Sequence, residues 1–164
     1  MLNILLNINN RKNIVFFTVF LCIFFFLTFL VPFWFVNYLS LSAIGYFFNE
    51  YSIWSVVSVS IFSYFIISGI YYYKCKIDLY VIHFISYSIF FDFFRTKDFV
   101  DINHEMLIDF AFFNRPLSFN KTLMLRIMND NQRTIIKRFN ISFISASDVR
   151  KISKALDSVI AKKK

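Results

Sequence analysis

A chain of 164 residues with 58% apolar side chains, 25 phenylalanines and a mean hydropathy of +0.58 holds more apolar surface than a water-exposed domain of this size hides, and is too short for two sizeable cores. Its net charge is +8, concentrated late: from Arg95 to Lys164 there are 14 Lys/Arg against 7 Asp/Glu. A basic stretch of this kind suits an anionic lipid surface, an acidic partner or nucleic acid, and beside membrane spans the orientation of charged flanks explains it most simply. Only two glycines and two prolines occur, while Phe, Ile, Asn, Lys and Tyr abound. That is the bias of A/T-rich codons, so part of the composition reflects a genome such as that of a plasmid, a phage, an AT-rich bacterium or a mitochondrion.

Residues 1–13 read as a cytoplasmic tail. Residues 14–36 then run uncharged, about 34 Å as a helix at roughly 1.5 Å per residue, enough for a hydrocarbon core of about 30 Å. Arg11 and Lys12 precede the run and Trp34 sits near its far end, as suits a transmembrane helix. No small-x-small cleavage pattern follows, which argues against a cleaved leader. Residues 37–52 contain no Lys or Arg and a single acid, Glu50, and read as an external loop. Residues 53–73 form the second expected span, with Trp54 at one interface and Tyr71, Tyr72 and Tyr73 at the other, followed by Lys74 and Lys76. Ser55, Ser58 and Gly69 share a helical face there and are the helix-packing candidates. The positive-inside rule then gives an inner-membrane, multi-pass protein with both termini cytoplasmic.

Residues 77–94 could make a third transmembrane segment, but it would bury Asp78, His83 and Asp92 in lipid. Every odd position from Ile77 to Phe93 except His83 is apolar or aromatic, and Asp78, Ser86, Ser88 and Asp92 fall on even positions, so a strand or hairpin with one buried face is preferred. Phe99 to Phe110 fits either a strand or a helix, and residues 114–120, with Pro116 inside, read as a loop. Leu123–Met128 and Thr134–Phe143 read as strands joined through residues 129–132, with Ile135, Phe139, Ile141 and Phe143 on one face. An amphipathic helix over 148–161 closes the chain, capped by Ser147, with Val149, Ile152, Leu156, Val159 and Ile160 as its apolar stripe. The expected fold class is therefore a membrane protein: a two-helix transmembrane hairpin followed by a small α+β cytoplasmic domain over 74–164.

Catalytic signatures are missing. His104-Glu105 starts an HExxH pattern, but Ile108 stands where the second histidine belongs. There is no GxSxG, phosphate loop or dinucleotide fingerprint, and the acids at Asp98, Asp101, Glu105 and Asp109 read as a solvated face. No enzyme, metal site or cofactor is expected. Cys22 is a small apolar side chain in the first span; Cys75, between Lys74 and Lys76, is a candidate for acylation. Lys74, Lys76, Arg150, Lys151 and Lys154 are candidate contacts to lipid headgroups or a partner. Nucleic-acid binding is unsupported, because neither an RNA-recognition motif nor zinc-finger spacing occurs.

Strands followed by a capped terminal helix after membrane spans resemble, in element order over Lys74–Lys164, small bacterial membrane proteins with a pleckstrin-homology-like domain. In size, hydrophobicity and AT-rich composition the whole chain also resembles plasmid entry-exclusion (surface exclusion) proteins, and to a lesser degree bacteriocin immunity proteins. That resemblance implies a non-enzymatic protein that blocks or modulates another membrane machine, with membrane lipid and a second membrane protein as partners. Two alternatives stand beside it: a small structural subunit of a membrane complex, such as an organelle-encoded respiratory component, and a membrane-anchored module that senses lipid or a signal.

Overall fold

The computed structural model describes residues 6–30, 56–89, 98–116, 118–129 and 132–162, and divides the chain into two units: residues 1–14 with 69–164, and residues 15–68. The first is a β unit. Four strands, β1 (Leu6–Asn9), β2 (Tyr71–Ile77), β3 (Val81–Ser88) and β4 (Asp98–Asn103), form an antiparallel sheet in chain order. A short 3-10 turn at His104–Met106 leads to a second antiparallel sheet, β5 (Leu107–Asn114), β6 (Asn120–Met128) and β7 (Thr134–Ser142). The other unit contains most of helix α1 (Arg11–Phe25), its π-helical extension Phe26–Leu30, and helix α2 (Val56–Ser68). Helix α3 (Ala146–Ala161) completes the β unit.

The inner faces of both sheets and one side of α3 share a single core. Tyr73, Cys75 and Ile77 of β2 meet Ile82 and Phe84 of β3, Leu123 and Leu125 of β6, Phe139 and Ile141 of β7, and Ile152 and Leu156 of α3. The Phe84 and Phe139 rings lie 4.7 Å apart across the sheets. Period-two burial along β2 and β3 produces this arrangement, since every second side chain points inward. Helix α3 starts two residues earlier than its sequence pattern indicates. Ser145, rather than Ser147, is its cap, with its hydroxyl accepting the Asp148 N–H at 3.0 Å.

The expected two-helix transmembrane hairpin does not hold. The fold is a sheet-rich α+β arrangement with two sheets, and among the described residues only one helix, Arg11–Phe29, is long and apolar enough to cross a membrane. Among the described residues α2 covers about 20 Å at roughly 1.5 Å per residue, short of a hydrocarbon core of about 30 Å. It ends because Gly69 takes a left-handed conformation (φ 73°), a common helix stop, and an extended aromatic run follows. Tyr71, Tyr72 and Tyr73, read as an interfacial belt, are the start of β2; Lys74 and Lys76, read as flanking charges, are its middle. The second crossing disappears, and with it the multi-pass inner-membrane topology with both termini cytoplasmic. The external loop at 37–52 and the beginning of the second span lie outside the described residues.

Two further differences follow from pairing across sequence distance. Leu6–Asn9, taken as part of a tail, pairs antiparallel with β2, so the helical unit is inserted between two neighbouring strands. In the 77–94 stretch, Val81–Ser88 is a strand, but its even side is buried: Ile82, Phe84, Ser86 and Ser88 point inward while His83 points out. Ser86 is tolerated inside because its hydroxyl donates to the Asn140 carbonyl at 2.5 Å. The Phe99–Phe110 stretch is neither one strand nor one helix, since it holds β4, the 3-10 turn and the start of β5.

Candidate functional site

Within the helical unit, α1 and α2 pack through aromatic and hydroxyl side chains. Phe17 meets Phe65 edge-on at 4.9 Å, and Phe25 stacks on Phe62 at 4.4 Å. The hydroxyls of Thr28 and Ser58 hydrogen-bond to each other, and the Thr28 hydroxyl is also 2.7 Å from the Phe24 carbonyl, four residues earlier. Ser58 is 1% exposed, whereas Phe16 is 75% and Ile67 83% exposed. Val15, Val19, Phe20, Ile23, Phe26 and Leu27 are exposed too. The unit shuts the Ser58 hydroxyl between its helices while a row of large apolar side chains on α1 faces outward, which a water-facing helix pair avoids.

Of the helix-packing candidates, Ser58 lies buried with its hydroxyl against Thr28, and Ser55 lies outside the described residues. Gly69 belongs to the β unit instead. A Cβ there would come within 2.9 Å of the Tyr71 ring, and its carbonyl accepts the Asn120 amide at 3.0 Å. That bond is part of a buried polar knot. Asn10 donates from Nδ2 to the carbonyls of Tyr71 (3.0 Å) and Ser142 (2.8 Å), and its Oδ1 accepts the Tyr73 N–H at 2.9 Å. The Ser142 hydroxyl donates to Asn120 Oδ1 at 2.5 Å and accepts the Tyr71 N–H at 2.8 Å. Asn10, Asn120 and Ser142 thus tie the backbone of residues 69–73 to the residue after β1 and to β6 and β7 within the β unit. Sequence reading missed all three, because isolated asparagines and serines in polar stretches resemble any turn.

Lys74 and Lys76 share the outward side of β2 with a shallow cleft of about 280 Å³, whose lining also includes His83, Phe99 and Asp101. Lys76 Nζ lies 2.8 Å from Asp78 Oδ2, and the His83 ring stands between two carboxylates, with Nδ1 2.6 Å from Asp101 and Nε2 3.8 Å from Asp78. The carboxylates face opposite ring nitrogens and do not converge on one point. Among the described residues no His/Cys/Asp/Glu group is arranged to hold a metal ion. The described lining has neither hydroxyl nor thiol; its polar groups are the two lysines, His83 and Asp101, of which Lys76, His83 and Asp101 are held in ion pairs.

Cys75 is 1% exposed, its side chain in the core, and burial pushes its thiol up to about 12. The lysines on either side point the other way along the pleat, so they do not favour a thiolate. The acylation expectation fails on access and on reactivity. Arg150, Lys151 and Lys154 lie on α3, away from its buried Ile152, Leu156 and Val159 stripe; all three are exposed, and Lys151 is 3.8 Å from Asp148. Burial lowers the His104 pKa, reinforced by Lys162 and opposed by a hydrogen bond to the Asp78 backbone; its Nε2 is buried without a partner. Tyr73, in the core, is raised by burial, with Asp148 and Cys75 adding to it. Tyr72 is also raised by burial and by Tyr87, against Arg11. Comparison of the chain with protein-family models, with curated proteins and with solved structures finds no match.

Proposed function

We propose that this protein works by contact rather than by chemistry, as a β-rich module whose inserted helical unit meets membrane lipid and acts on another membrane protein. The observation that carries this reading is the inverted helical unit, with Ser58 shut between helices and Phe16 and Ile67 turned outward. Exposed phenylalanines on that scale are costly in water, at roughly 25 cal/mol per Å² of apolar surface, and cost little against hydrocarbon. The β unit supports the non-enzymatic side, since Lys76, His83 and Asp101 in the cleft beside β2 are engaged in ion pairs and do not converge on one point.

Alkaline and high-salt washing of membranes from expressing cells tests the lipid contact. The wild-type chain is expected to stay with the membrane, and Phe16→Glu combined with Ile67→Glu is expected to release a large part of it. A wild-type chain that disperses in detergent-free buffer as a monomer ends the reading. The finer version, exclusion in plasmid conjugation or bacteriocin immunity, draws its support from size and composition. Expression in a recipient should then lower plasmid uptake or toxin killing, and unchanged levels of both remove it.

A second reading, a lipid- or signal-sensing module, is favoured by one feature: seven antiparallel strands in two sheets with α3 closing the core. This is consistent with the resemblance in element order to pleckstrin-homology-like modules.

A further inference from the structure

The outer face of the second sheet carries a separate concavity of about 480 Å³, lined by Phe113, Arg115, Thr122, Met124, Arg138 and Asn140. Strand register builds it. Phe113, Thr122 and Asn140 occupy one row across β5, β6 and β7, and Met124 pairs with Arg138 in the row beside it. The polar groups in this cleft are mainly donors. Thr122 donates its hydroxyl proton to Asn140 Oδ1 at 3.2 Å, which occupies the amide oxygen and leaves the amide NH₂ for a ligand. Asn140 is also held from behind, because its backbone carbonyl accepts the Ser86 hydroxyl at 2.5 Å. Among the described residues, neither the Arg115 nor the Arg138 guanidinium has a carboxylate partner: the ion pairs present involve Lys76, His83 and Lys151. The described lining contains no acid.

Two guanidinium forks and an oriented amide call for an oxyanion, and the charge selects which one. A phosphomonoester carries about −1.5 to −2 at neutral pH and three acceptor oxygens, matching two fixed positive charges, where a carboxylate matches one. Phe113 and Met124 add apolar walls for whatever the phosphate is attached to. We infer that this cleft binds a phosphomonoester carried on an apolar body, with Arg115 and Arg138 gripping the phosphate and Asn140 adding a donor. The inference does not depend on the lipid contact of the helical unit, so either can fail alone.

Calorimetric titration of the full chain in phosphatidylcholine nanodiscs tests it, with phenyl phosphate as the probe and benzoate as the singly charged comparison. Phenyl phosphate is expected to bind saturably and more tightly than benzoate. Each of Arg115→Gln and Arg138→Gln should weaken it about tenfold or more, the loss of one charge-assisted contact. Arg150→Gln, which removes the same charge from α3, should leave it unchanged. Both cleft arginines are exposed, so the variants should keep the wild-type melting temperature, which checks folding. Repeating the titration in discs containing phosphatidic acid identifies the source: a lowered apparent affinity shows that a lipid headgroup competes for the cleft, and an unchanged one shows a free ligand. No saturable binding of phenyl phosphate, equal binding of benzoate, or an Arg150→Gln loss as large as that of the cleft variants would overturn the assignment.

Discussion

Phe84 and Phe16 are the same side chain in opposite settings. Phe84 is 1% exposed in the β unit, packed on Phe139 and parallel to Tyr73 at 6.4 Å between ring centres, while Phe16 in the helical unit is 75% exposed. The β unit packs Phe84 into a shared core, while Tyr80, Phe99 and Phe119 on its surface stay exposed. The helical unit shuts Ser58 between its helices and turns Phe16, Phe20 and Ile67 out. One chain therefore contains two solutions to burial, and each predicts a different response to the same substitution.

The largest contrast is the most direct. Phe84→Ala should cost about 3–5 kcal/mol of unfolding stability, through lost transfer energy and the cavity left behind. Phe16→Ala, measured by denaturant titration in the same detergent, should change stability by no more than about 0.5 kcal/mol. Comparable losses for the two would mean that the outward face of α1 is covered by protein, and the contrast between the units would collapse.

The buried polar knot of the β unit comes next in size. Asn10, Asn120 and Ser142 are buried and bonded to one another or to the backbone of residues 69–73 and 142. Removing one partner strands the others without water. Asn10→Ala and Ser142→Ala should each destabilise by about 1–3 kcal/mol, with the double variant departing from additivity because both residues serve the Tyr71 backbone. Simple addition of the two effects would show that the knot is two independent bonds, not a network.

How far the fold was legible follows from which interactions are local. The β6–β7 hairpin could be read from two β-rich runs around a polar turn, and Asn129 N–H does bond to the Arg133 carbonyl at 2.9 Å to close it. The terminal helix could be read from its stripe, of which Ile152, Leu156 and Val159 are buried. Period two was visible in β3, but its buried side was not, since hydrophobicity favoured the odd face and the Ser86 bond to Asn140, 54 residues away, belongs to tertiary structure. The second span failed for a related reason. Ile70 to Tyr73 is equally suited to a helix end in lipid and to a strand, and what selects the strand is pairing with Ser86–Ser88 and with Asn10. At the candidate sites the pattern repeats. Lysines near a run of tyrosines were visible, whereas the Arg115 and Arg138 cleft needs three strands in register before it exists.

The smallest effect expected is a pH dependence at His104, at the edge of the β unit. Its pKa is lowered chiefly by burial, and its buried Nε2 has no acceptor to receive the proton that protonation would add. Above the ordinary histidine value of 6.5, both folded and unfolded chains hold this ring neutral and it contributes no pH dependence. As pH falls through 6.5 the unfolded chain takes up the proton before the folded one does, so folding stability declines until the lowered folded pKa is passed. Denaturation midpoints between pH 8 and about 5, above the main carboxylate range, should therefore fall further in the wild type than in His104→Gln. The helical unit has no histidine to match it, so Phe16→Ala should leave that pH slope unchanged, and parallel curves for wild type and His104→Gln would show that the ring finds a partner for its second proton.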